Sequence, residues 1–190
     1  MTRYVAFLGS INVGGNRVKM ADLRSALEEE EFAEVETVVA SGNVLFTHDE
    51  RPSEGLTGKL EWVLEERFDI QGMAVVRTRD ELASAIEDNP FHGTGDEQGS
   101  EFGEDKFVHT IFLDGQPEQA DFDALLQEHK DKGSERLALG DRCLFLDYVH
   151  GVGVSSLTGP FLERRLHCRG TARNMRSLKR ILAKMDEHAD

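Results

Sequence analysis

Cysteine is scarce in this chain, and its two copies, Cys143 and Cys168, show no C-x-x-C spacing. That usage excludes a disulfide framework and points to reduced thiols in a cytoplasmic protein. No apolar run approaches the roughly 18 residues of a membrane-spanning helix. Met1-Thr2-Arg3 leads directly into a strand pattern, without the charged-then-apolar stretch of a signal peptide. The seven His residues lack H-x-x-x-H or comparable spacing, so no structural zinc site is expected. Positive charge is short as well: 22 Lys and Arg stand against 36 Asp and Glu, a net charge of −14. Such a surface opposes contact with nucleic-acid phosphates, which makes nucleic acid an unfavoured partner.

What is present is an ordinary globular composition, 39% hydrophobic over 190 residues, enough for one large or two small domains. The chain is organised around the stretch from Phe7 to Asn16, where a short apolar strand ends in a turn rich in Gly and Asn and hands over to a helix. Gly14 and Gly15 can adopt positive φ and leave backbone N–H groups uncovered near the positive end of that helix. Asn12 and Asn16 add amide donors. The turn is a candidate cradle for a small polar or anionic ligand. It is neither G-x-G-x-x-G nor closed by G-K-[ST], so no dinucleotide or nucleoside-triphosphate cofactor is implied.

Apolar periodicity orders the remaining elements. A helix over Lys19 to Glu30 is followed by Val35 to Val39 and Val44 to Thr47, two runs that flank Ala40-Ser41-Gly42-Asn43 as a hairpin. Leu56 to Phe68 read as a helix and Met73 to Arg77 as a strand. Thr78 or Asp80 can cap a further helix, which Asn89-Pro90 stops. Residues 91–104 hold four Gly without apolar periodicity and read as a flexible linker.

The pattern then restarts. Lys106 to Leu113 form a strand, Asp121 to His129 a helix, and Leu137 to Leu139 with Cys143 to Leu146 a hairpin about Gly140-Asp141-Arg142. Ser156 or Thr158 caps a helix through Leu166, Gly170-Thr171-Ala172 mark the last strand, and Asn174 or Ser177 leads the final helix. This repeat of element order predicts an α+β protein of two ferredoxin-like β-α-β-β-α-β units with antiparallel sheets, each followed by an extra helix. The expected units are 1–90 and 105–190.

Several landmarks resemble the bacterial family DUF1697: Gly9-Ser10-Ile11-Asn12-Val13-Gly14-Gly15, Ser41-Gly42-Asn43-Val44-Leu45-Phe46, Asn89-Pro90-Phe91, the stretch from Tyr148 to Thr158, and Thr171-Ala172-Arg173-Asn174. The resemblance spans nearly the whole chain and implies the ferredoxin-like architecture without an established activity. Similar sequences carry Arg in place of Ser10, Arg-Ser-Lys in place of Val154-Ser155-Ser156, and Trp in place of Met175. The loss of those cations implies weaker anion binding here, because Ser cannot replace the bidentate guanidinium fork.

The ligand-binding residues expected from sequence are therefore Asn12, Gly14, Gly15, Asn16, Ser41, Asn43, Arg173 and Asn174. Whether the site is catalytic stays open. His150 beside Tyr148 is the acid–base candidate. Ser41 and Ser155 are conceivable nucleophiles, but neither sits in a G-x-S-x-G elbow. The alternative is a non-catalytic module that binds protein or nucleic acid through the basic C-terminal region. From Pro160 to Met185 eight Lys or Arg face the single Glu163, a local net of +7 that leaves −21 elsewhere.

Overall fold

Eight strands and six α-helices follow one another in the order read from the sequence in the computed structural model, which describes residues 1–39, 42–49, 53–93 and 102–187. In the first unit these are β1 (Thr2–Gly9), α1 (Met20–Glu29), β2 (Ala33–Thr37), β3 (Asn43–His48), α2 (Ser53–Phe68) and β4 (Met73–Thr78). The sheet order is β2-β3-β1-β4, with every pair antiparallel. Helix α3 (Arg79–Glu87) follows. The second unit repeats the plan with β5 (Val108–Leu113), α4 (Gln119–His129), β6 (Arg136–Gly140), β7 (Cys143–Asp147), α5 (Gly159–Leu166) and β8 (Gly170–Asn174), in the sheet order β6-β7-β5-β8. Helix α6 (Met175–Asp186) closes it. Both halves are thus ferredoxin-like β-α-β-β-α-β units, each followed by an extra helix.

Side-chain spacing explains which surfaces are buried. On β1, Tyr4, Ala6 and Leu8 alternate onto one sheet face, where they meet Val44 and Phe46 of β3 and the i, i+3, i+4 stripe Leu23, Ala26 and Leu27 of α1. Leu56, Leu60, Val63 and Leu64 of α2 complete that core. In the second unit Ile111, Leu113, Leu144 and Leu146 pack against Phe122 and Leu125 of α4 and Leu162 and Leu166 of α5. A short polar device sets the start of α3, whereas α1, α4 and α5 begin without a side-chain cap bond. The Glu81 N–H donates to the Thr78 hydroxyl at 3.2 Å while the Thr78 N–H donates to the Glu81 carboxylate at 2.7 Å, a reciprocal box that opens α3.

Two boundaries differ from the sequence expectation. The first hairpin's β2 ends at Thr37 instead of continuing to Val39, because Val39 turns to φ 52° and the Asn43 amide donates to the carbonyls of both Val38 and Val39. The compact units also divide elsewhere, as Met1–Leu82 with Arg180–Asp190 and as Ala83–Lys179. The end of α6 thereby joins the first unit, where Asp186 pairs with Arg79 at 2.8 Å and Lys184 reaches Glu36 at 3.7 Å. Residues 94–101, the middle of the expected linker, lie outside the described residues, as does Ser41.

Candidate functional site

The Gly-Asn turn of the first unit is held by its own side chains. Asn12 adopts φ 54°, and its Oδ1 accepts the Val18 N–H at 3.0 Å. Asn16 donates its side-chain amide to the Ser10 carbonyl at 3.0 Å and its backbone N–H to the Val13 carbonyl. Both amides expected to face a ligand thus brace the turn. Gly14 and Gly15 take φ 59° and 100°, and a Cβ built on either would meet nothing within 4 Å. Their backbones are open to solvent in a conformation that other residues rarely adopt.

Asn43 pairs with Phe7 beside that turn, and the Gly42 carbonyl accepts the Leu8 N–H at 2.7 Å. The Asn43 side chain is buried and committed to the hairpin. In the second unit, Asn174 is the helix cap anticipated from sequence, its Oδ1 accepting the Ser177 N–H at 2.9 Å. Arg173 lies within β8 rather than at a helix start. Its guanidinium donates to Thr171 Oγ1 and to the Ala172 carbonyl, each at 2.8 Å. Burial pushes that group down to about 10, which leaves it charged at neutral pH.

A different place in the second unit has the shape of a binding site. A cavity of 330 Å³ lies between the sheet and α5, with Ile111 and Leu144 on the sheet side and Leu162 and Leu166 on the helix side. Its exposed lining residues, among them Val152, Thr158 and Glu163, form the mouth. Ala172 pairs with Ile111 and faces the cavity, whereas Arg173 pairs with Thr110 and projects from the opposite face of the sheet.

The loop from β7 to α5, which walls the cavity, is tied down by a polar cluster. The Ser155 hydroxyl donates to Glu135 and accepts the Leu157 N–H at 3.1 Å. The other Glu135 oxygen lies 3.1 Å from His129 Nε2, out of line for a hydrogen bond, and both side chains are buried. Burial alone would raise the Glu135 carboxyl, but the Ser155 hydroxyl, the backbone and His129 together hold it below the usual carboxylate range. Gly133 leaves the room that this carboxylate occupies, since a Cβ there would stand 2.0 Å from Glu135 Oε2. Burial, and then the charge of Glu135, push the Tyr148 phenol up to about 12. Tyr148 packs edge-on to His109, ring centroids 5.0 Å apart. His150, the acid–base candidate, is exposed and does not line the cavity.

The basic C-terminal stretch spends much of its charge within the fold. Arg165 pairs with Glu128, Arg169 with Asp114, Lys179 with Asp105, and Lys184 with Glu36 and Glu187. Among the described residues no group of three or more His, Cys, Asp or Glu is placed to hold a metal ion, and no helix is long and apolar enough to cross a membrane.

Sequence reasoning singled out Ser155 but not its partners. Glu135 is 20 residues away and no spacing marks the pair. The cavity had no signal either, because each apolar lining residue reads as ordinary core.

A search of curated proteins finds no relative. A solved structure of a conserved bacterial protein from Streptococcus pneumoniae matches with a TM-score of 0.65 and 23% identity, covering 97% of this chain and 98% of that one, a likeness of fold. Residues 1–145 match the family described as protein of unknown function, DUF1697. Since that match takes in the first β-α-β-β-α-β series with the helix after it, and the second series as far as β7, the chain belongs to the DUF1697 family.

Proposed function

We propose that the protein binds a small, largely apolar molecule in the cavity of its second unit. The observation that carries this reading is an open space of 330 Å³ in which apolar walls from the sheet and α5 meet a few polar groups, Ser155 and Thr158 among them. That volume falls at the lower end of the range of about 300–1,000 Å³ for ligand sites. The setting we assign is the cytoplasm, a reading supported by neither Cys143 nor Cys168 forming a disulfide. Recognition of protein or nucleic acid through the basic C-terminal residues has less support, given how many of them are already paired.

Ala172→Leu tests the cavity. The added carbon atoms point into it, so saturable binding of 1-octanol, followed by calorimetry, should disappear while the thermal midpoint holds or rises. An unchanged isotherm would put the ligand elsewhere.

A polar or anionic ligand at the Asn12–Asn16 turn is a second reading, favoured by the open Gly14 and Gly15 backbones. On titration with inorganic phosphate, the amide resonances of Gly14 and Gly15 should move most. Equal movement of amides across the whole protein would mark general ionic strength and remove this site.

A further inference from the structure

Resting on the cavity reading above, we infer that its ligand carries a single positive charge, as an alkyl or aryl ammonium, and that Glu163 is the counter-ion. Among the described residues, Glu163 is the one charged residue that lines the cavity. It is exposed at the mouth and has no ion-pair partner among the described residues, whereas Arg165, on the same helix, is engaged by Glu128 at 2.7 Å. A carboxylate with no ion-pair partner is available to an incoming cation.

The surroundings favour the same sign. Behind the wall, the Ser155 hydroxyl points its proton at Glu135, so the cavity side of that serine receives its oxygen and a second carboxylate's field. The thiol of Cys168, which also lines the space, is raised by burial and then by the charges of Asp114 and Asp121. The nearest cation on β8, Arg173, leaves the opposite face of the sheet. An anionic ligand would therefore bury its charge next to carboxylates with no cation in the lining, while an ammonium meets one carboxylate at a wet rim and keeps part of its hydration. The net charge of −14 enriches cations near the whole molecule.

The test compares octylammonium, 1-octanol and octanoate, three probes of equal chain length, by calorimetry on the full chain. Octylammonium should bind more tightly than octanol by roughly three- to five-fold at low salt, the range of a solvent-exposed ion pair. Octanoate should bind more weakly than octanol, and 0.5 M salt should shrink both differences. In Glu163→Gln the ammonium advantage should vanish while octanol still binds saturably, which also shows that the variant keeps its cavity. In Ala172→Leu saturable binding of all three should be lost, which separates the cavity from loose attraction to an acidic surface. If octanol binds and octylammonium binds no better, or if Glu163→Gln leaves the preference intact, the counter-ion assignment is overturned and the cavity reading survives. If none of the three binds, the cavity reading itself has failed.

Discussion

Phe46→Ala should destabilise the first unit by about 3–5 kcal/mol, the range for truncating a large buried aromatic side chain. Phe46 has no exposed surface and sits in the middle of β3, directly opposite Tyr4 of β1. Its ring stacks on Tyr4 with centroids 5.5 Å apart and receives the edge of Phe32 at 4.9 Å. Truncation removes both aromatic contacts and leaves a void bounded by a sheet on one side. A sheet backbone pinned by its ladder of hydrogen bonds cannot move inward to close that void. Phe46→Leu keeps most of the volume and should cost only about 1 kcal/mol. Denaturant unfolding, with amide exchange read on β1 and β3, checks the pair. Similar losses for the two variants would show that aromatic geometry at Phe46, rather than volume, sets the cost.

Arg136→Ala should cost the second unit about 3 kcal/mol, although its side chain lies at a partly exposed edge. Asp147 is only 2% exposed and accepts from Arg136 Nη2 at 2.6 Å and Nε at 3.1 Å, with a further bond from the Val149 N–H at 3.0 Å. The guanidinium also lies over the Phe91 ring, 4.9 Å from its centroid. Removing it strands a buried carboxylate with the neutral Val149 N–H as its remaining donor among the described residues, and a stranded charge costs far more than the pair was worth. The figure stands at the low end of the usual 3–5 kcal/mol because the Arg136 side chain is 40% exposed, so water screens the pair. The diagnostic is a double variant. Asp147→Asn in the Arg136→Ala background removes the stranded charge and should recover most of the loss. If instead the two losses add, Arg136 acts through its packing on Phe91 and not through the carboxylate.

These sites differ in how much of them could be read before the fold was known. Phe46 stands in an apolar run after a Gly-Asn turn, so its burial was legible, but Tyr4 and Phe32 as its neighbours were not. Likewise Asn174 as a cap and Asn89-Pro90 as a stop are signals written within four residues. Asn43 was legible as part of a hairpin and misleading as a ligand donor, since its amide has carbonyl partners only four and five residues back. Arg136 carries no local mark of its role, because Asp147 meets it only across the β6–β7 ladder.

By itself, then, the chain determined its two β-α-β-β-α-β series, its hairpins and the caps that Thr78 and Asn174 give to α3 and α6, whereas Thr158 starts α5 without a side-chain cap bond. Those features depend on periodicity and on hydrogen bonds between near neighbours, and near neighbours are what a sequence lists. Tertiary structure alone decided that the end of α6 joins the first unit, that Ser155 meets Glu135 and His129, and that α5 stands off the sheet far enough to leave a cavity. Each of these depends on distances between segments remote in sequence, and on whether their summed side-chain volumes fill the space between them. An apolar residue that lines a void has the same letter as one that fills it.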